Sequence, residues 1–171
     1  MSEKPTIRIE RATERDVPLI LRLIRGLADY EKLAHEVTAT EAGLQKTLFG
    51  AQPAAEVIIA YAGETPAGFA LFFPNYSTFL GKPGLYLEDL FVLPEWRGHG
   101  LGLALMKRLA AIAVERGCGR FEWSVLDWNQ PAWDFYAKLG ASPMTEWTMQ
   151  RLTGAKLDGL AELWPHPVGK T

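Results

Sequence analysis

Three features of this 171-residue sequence predict a mixed α/β fold. Apolar residues recur with period two in some segments and with helical period in others. Two β-rich runs flank a short Gly/Pro turn, and a glycine-rich strand-to-helix junction lies past mid-chain. The length suits one domain, which hides about two-thirds of its surface on folding. A composition that is 48% hydrophobic, 22% charged and 11% aromatic excludes a disordered or collagenous chain. Eighteen Lys plus Arg against 20 Asp plus Glu, a net charge of −2, leave no basic surplus for nucleic acid or an anionic membrane. The single cysteine, Cys118, rules out an internal disulfide and a cysteine-rich metal site. Met1–Asp16 mixes charges of both signs without an apolar signal core, and Val57–Ala62 and Leu109–Val114 are too short to cross a bilayer. The expectation is one soluble, cytoplasmic domain over residues 6–163 with a tail over 164–171, acting on a small molecule.

The elements follow in order. Thr6-Ile7-Arg8-Ile9-Glu10-Arg11 alternates as a short strand. Thr13 and Asp16 have capping-box spacing before a helix to about Tyr30, with Val17, Ile20, Leu21, Ile24, Leu27 and Ala28 on one face. Thr40 is an N-cap for a shorter helix ending near Gly50. Glu56–Ala62 and Ala67–Phe73 form a hairpin about Gly63-Glu64-Thr65-Pro66, and Pro74 to Pro83 reads as a loop. Leu85–Leu93 is a strand stopped by Pro94. A helix follows with Leu101, Leu105, Leu109, Ile112 and Ala113 inward, ended by Gly117. Phe121–Leu126 is a strand, Gln130–Leu139 a short helix, Trp147–Leu152 a late strand and Lys156–Leu163 a terminal helix. The order β-α-α-β-β-β-α-β-α-β has an antiparallel start and a helical crossover after Leu93.

The junction Phe91-Val92-Leu93-Pro94-Glu95-Trp96-Arg97-Gly98-His99-Gly100-Leu101-Gly102 is the strongest local signal. Glycines there bring backbone N–H groups close to a ligand, and the helix start adds unpaired donors and partial positive charge, a combination suited to phosphate. Leu103, five positions after Gly98, breaks both the Walker pattern and the dinucleotide fingerprint. What fits is Arg-x-x-Gly-x-Gly, from Arg97, Gly100 and Gly102. An ordinary tight strand–helix connection would use the same glycines.

Two flanking segments extend the match. Tyr86-Leu87-Glu88-Asp89-Leu90-Phe91-Val92 precedes the loop, and Asp127 to Ala141, with an Asn…Phe-Tyr…Gly-Ala pattern, follows it. Together they resemble the GNAT superfamily of N-acetyltransferases. With Ile7-Arg8, the helix over 16–30, Tyr30-Glu31 and Gly81-Lys82, the chain is similar to the spermidine/spermine (diamine) and thialysine acetyltransferase branch. The resemblance implies a mixed, twisted sheet with helices on both faces, splayed between central strands around acetyl-CoA. It implies that Phe91 and Val92 meet the pantetheine arm with their backbone, and that Arg97, Gly98, His99, Gly100, Leu101 and Gly102 hold the pyrophosphate. It also places Asn129 near the reaction centre, makes Tyr136 the general acid and Glu88 the general base, and implies a homodimer.

The chemistry asks for such groups. An amine with a pKa near 10.4 loses its proton at pH 7 at a cost of roughly 4–5 kcal/mol, so a carboxylate within reach is needed. A phenol protonates the departing thiolate, and backbone N–H donors polarise the acetyl carbonyl. His35, His99 and His166 have no ligand spacing, so no metal is expected. Plainer roles exist for each residue: Tyr136 as a core aromatic, Arg97 as a surface arginine, His99 as exposed filler in the loop, Asn129 as a helix N-cap. Glu88 and Asp89 are adjacent, so in a regular strand only one faces the substrate. The diamine branch carries an acidic residue in the loop before Gly-Lys, whereas Asn75–Leu80 has none. Glu31, Glu88 and Glu146 are the candidate amine-binding carboxylates. The acceptor is expected to be a diamine, polyamine or thialysine-like amine. A protein lysine or N-terminal acetyltransferase, or a non-catalytic acyl-CoA-binding module, are the alternatives.

Overall fold

A computed structural model describes residues 5–164, so the tail expected from Trp164 onward lies almost wholly outside the described residues. Contacts gather into two compact units, Met1–Ser124 and Val125–Thr171. The first holds β1 (Ile7–Arg11), α1 (Val17–Tyr30), α2 (Glu41–Phe49), β2 (Glu56–Ala62), β3 (Thr65–Ser77), β4 (Lys82–Val92), α3 (Leu101–Glu115) and β5 (Phe121–Trp123). The second holds α4 (Gln130–Lys138) and α5 (Gly154–Glu162).

The sheet runs β1-β2-β3-β4-β5, antiparallel through β4 and parallel between β4 and β5, with α3 as the crossover. On one face Ile20, Leu23 and Leu27 of α1 pack with Val57, Ile59, Phe69 and Phe91. On the other, Leu101, Leu105, Met106 and Leu109 of α3 are buried, and α3 packs on β1 to β4. Covering on both sides explains why Val57 to Ala60 are buried in succession. Each buried Val, Leu, Ile or Phe side chain there contributes about 1.5–3 kcal/mol.

Local chemistry sets the ends. The Asp16 carboxylate accepts from the Thr13 N–H at 2.7 Å and from its hydroxyl at 2.9 Å, so the hydroxyl is spent on the carboxylate. Thr40 Oγ1 accepts from the Gly43 N–H at 3.1 Å and starts α2. The β2–β3 turn is tighter than expected: Thr65 pairs with Ala62, leaving only Gly63 (φ +60°) and Glu64 between strands.

Three expectations are corrected. Residues 74–77 belong to β3 and 82–84 to β4, so the loop expected over 74–83 shrinks to a short turn. Pro74 is tolerated because its partner Leu85 donates its N–H at 3.0 Å to Arg120, away from β3. The pair is thus a non-hydrogen-bonded one, and Pro74 turns its donor-less nitrogen to the side where β2, whose pairing ends at Glu56 opposite Phe72, has already stopped. The strand expected over 121–126 ends at Trp123. Residues 147–152 form no strand: Trp147, Met149 and Leu152 are exposed, and among the described residues the second unit offers no strand edge to satisfy their backbone groups.

Gly68 seats β3 against the functional end of β4. A Cβ there would lie 2.5 Å from the Phe91 carbonyl oxygen and 3.2 Å from Val92 Cα, both backbone atoms that cannot swing away. Gly68→Ala should therefore lower stability by about 1–3 kcal/mol. Thermal unfolding checks this, and an unchanged midpoint would show that the strands separate without cost.

Candidate functional site

The site begins with an interruption in strand pairing. Pairs between β3 and β4 run Gly68–Val92, Phe69–Phe91, Ala70–Leu90 and Leu71–Asp89, then jump to Phe72–Leu87. Glu88 is the extra residue of a β-bulge. The Leu93 N–H donates to the Ala67 carbonyl at 2.8 Å. Alternation from that bond gives Phe91 and Asp89 backbone groups turned toward β3, and Leu90 and Val92 turned away. On that far side β5 pairs only with Leu85, Tyr86 and Leu87. The two parallel strands thus part after Leu87, and the N–H and C=O groups of Leu90 and Val92 line the opening. Phe91, expected to offer its backbone here, has it turned into the β3 ladder, whereas the backbone groups of Leu90 and Val92 face the opening.

After β4 the chain turns through Pro94–Trp96 into a loop where Gly98 (φ +78°) and Gly100 (φ +91°) adopt left-handed conformations. Gly100 is the N-cap of α3 and brings no capping side chain, and the first helical bond runs from the Ala104 N–H to the Gly100 carbonyl. The N–H groups of Leu101, Gly102 and Leu103 therefore have no intrahelical acceptor, at the positive end of a helix of four turns. Arg97 is exposed; its Nε donates to the Val92 carbonyl at 3.0 Å, and its guanidinium carbon stands 4.4 Å from the Tyr30 ring centroid. His99 is exposed as expected, with Nδ1 2.9 Å from the Arg97 carbonyl. An open backbone edge leading to a cationic fork and an uncapped helix start fits a pantetheine amide chain ending in pyrophosphate.

The third part is acidic. Glu31 closes α1, which ends in a Schellman motif: the Leu33 N–H donates to Ala28 at 2.8 Å and the Lys32 N–H to Asp29 at 3.2 Å. Lys32 occupies the left-handed position (φ +63°) that glycine normally fills, at a cost of about 1 kcal/mol. Glu31, Glu88 and Asp89 lie near enough to one another that Asp89 feels both charges. Burial chiefly, then Glu88 and Glu31, push the Asp89 carboxyl up to about 6. Burial also raises Glu31. Asp89 shares the α1-facing side of β4 with Phe91, two residues on. The bulge removes Glu88 from regular alternation, so both neighbours serve one cluster rather than opposite faces. Nothing in the residues signals this, because a bulge leaves no mark in a run such as Leu87-Glu88-Asp89-Leu90.

In the second unit Asn129 caps α4: it is buried, and its Oδ1 accepts from the Ala132 N–H at 3.3 Å. Tyr136 lies half-buried on the same helix, its ring 5.3 Å from Phe135. Glu146 is exposed in a turn and joins no cluster among the described residues. Trp133 donates from Nε1 to the Leu126 carbonyl at 3.3 Å, a packing role within the unit.

Comparison with known proteins agrees with these features. The family model for the acetyltransferase (GNAT) family matches residues 24–141. Thialysine N-epsilon-acetyltransferase of Sus scrofa is 40% identical, over 91% of this chain and 98% of its own. L-ornithine N5-acetyltransferase NATA1 of Arabidopsis thaliana is 36% identical, over 91% and 88%. Among solved structures, an integron cassette protein from the mobile metagenome of V. cholerae superposes with a TM-score of 0.77 at 29% identity, over 91% and 98%.

The acidic cluster has a consequence for stability. Asp89 has a folded pKa near 6 against 3.8 unfolded. At pH 8 both states carry the charge and the folded state bears a penalty. As pH falls through about 6 the folded carboxyl takes up its proton first and the penalty fades. Asp89→Asn should stabilise by about 1–3 kcal/mol at pH 8, with about a third of that gain left at pH 4.5. Urea unfolding at the two pH values measures the difference, and equal gains would contradict it.

Proposed function

Since this chain belongs to the acetyltransferase (GNAT) family, we propose that it carries acetyl from acetyl-CoA to the primary amine of a small, amino-acid-derived cation. The observation that carries this reading is the open edge of β4 with an acidic cluster at one end and the Arg97 loop at the other. When bound, acetyl-CoA supplies the activated thioester. Leu90 and Val92 offer backbone amides to its pantetheine arm and donors toward the acetyl carbonyl. Arg97 and the N–H groups from Gly98 to Leu103 take the pyrophosphate.

The amine arrives as a cation, and Glu31, Glu88 and Asp89 attract it. Losing its proton costs roughly 4–5 kcal/mol at pH 7, so the accepting group must be close. Glu88, exposed at the bulge, accepts the proton directly or through one water, and Asp89, titrating near 6, sits beside it as a second acceptor. Tyr136 protonates the departing thiolate, and Asn129 contacts the donor near the reaction centre while capping α4; these two assignments rest on the resemblance. So does the homodimeric state, while the cytoplasmic location in this reading rests on the composition and charge pattern of the sequence.

Thialysine-, lysine- or ornithine-like amines are favoured over polyamines. The relatives named for thialysine and ornithine are 40% and 36% identical, against 32% for one named for spermidine/spermine. The stretch 75–80 carries no carboxylate for a distal ammonium.

Thiol release from acetyl-CoA over a panel of thialysine, lysine, ornithine, putrescine and spermidine tests the reading. Turnover with an amino-acid amine exceeding that with the polyamines is the expected result. No turnover with any of them would favour a binding module or a protein acceptor. Tyr136→Phe should lower kcat about 100-fold with little change in the acetyl-CoA KM. An unchanged kcat would remove Tyr136 from the role of acid.

A further inference from the structure

Arg97 is held at two points, and one of them lies outside the glycine loop. Its Nε donates to the Val92 carbonyl at 3.0 Å, and its guanidinium stacks 4.4 Å from the Tyr30 ring centroid and 5.7 Å from that of Phe91. Tyr30 is itself half-buried and packed against the core cluster of α1, β2 and β3, so the ring is a fixed platform. The two terminal nitrogens of Arg97 carry no hydrogen bond among the described residues. An exposed arginine otherwise samples many rotamers, and ordering it on a ligand gives up that freedom. Here the ordering is done before any ligand arrives.

We propose that Tyr30, at the last turn of α1, is a positioning residue for the acyl donor: its ring face and the Val92 carbonyl together aim the free end of the Arg97 fork at the donor's pyrophosphate. This rests on the reading that Arg97 meets that pyrophosphate. The neighbouring Glu31 belongs to the amine-binding cluster, so one helix end serves both substrates: residue 30 through an arginine and residue 31 through its own charge.

The test compares acetyl-CoA with S-acetylpantetheine, which has the same reactive end and no pyrophosphate, at saturating amine. The readout is the ratio of their kcat/KM values. Tyr30→Leu should reduce the preference for acetyl-CoA about threefold to tenfold, the worth of one cation–π contact. Tyr30→Phe, which keeps the ring face, should retain the wild-type ratio. In an Arg97→Ala background Tyr30→Leu should change the ratio no further. A ratio unchanged by Tyr30→Leu, or lost equally in Tyr30→Phe, overturns the proposal. So does a further fall in the Arg97→Ala background. If Tyr30→Leu does not fold, Tyr30→Met replaces it under the same criteria. An Arg97→Ala ratio equal to wild type overturns the reading of the loop itself, whereas a lowered Arg97→Ala ratio with an unaffected Tyr30→Leu overturns the role of Tyr30 alone.

Discussion

Everything in the site depends on β4 being bonded along its whole length on one side and for only part of it on the other. The ladder with β3 continues to Leu93, while β5 stops at Trp123 opposite Leu87. Backbone donors and acceptors left open along a strand edge take a partner of the same chemistry, whether water or a ligand. A pantetheine arm, with two amides spaced along a flexible chain, meets that demand much as a strand would. The bulge at Glu88 then decides which residues face the opening, so one insertion aligns the backbone of Leu90 and Val92 and also releases Glu88 toward its acidic neighbours.

The second constraint is the close seating of α1 on the end of β4. Gly26 makes it possible: a Cβ there would lie 3.0 Å from the Phe91 ring. The helix forgoes about 1 kcal/mol of propensity relative to alanine, and a further 1 kcal/mol is held in the left-handed Lys32. These costs fall at the helix end that presents Tyr30 to Arg97 and Glu31 to Asp89. Burying carboxylates near one another is also unfavourable, as the raised Asp89 pKa records. A cationic amine at that cluster, as proposed above, would relieve the repulsion.

Much of this was legible in the residues. The amphipathic stripes of α1 and α3, the Thr40 cap and the Asn129 cap follow from local periodicity and side-chain chemistry, and the structure keeps them. The glycine loop was readable because φ near +80° to +90° leaves few residues able to serve. Leu90, Asp89 and Tyr30 were not. Leu90 meets the opening with its backbone, which no side chain advertises. Asp89 depends on a bulge and on burial from a helix about 60 positions earlier. Tyr30 depends on a contact with Arg97 that is 67 positions away in the chain. The strand expected over 147–152 failed for the same reason in reverse: Trp147 and Met149 alternate with polar neighbours, but pairing is a property of neighbouring strands.

The bulge also bears on how such a site can change over generations. Side chains along Leu87–Val92 can be exchanged one at a time while the backbone keeps its facing. Closing the bulge with every residue kept cannot be absorbed so gently. It would return the strand to strict alternation and swap the roles of odd and even positions, turning the amides of Leu90 and Val92 into the ladder and those of Phe91 out of it. Divergence along this strand is therefore open to substitution so long as the bulge stays, and the extra residue between Leu87 and Asp89 is a firmer mark of the arrangement than the identities around it.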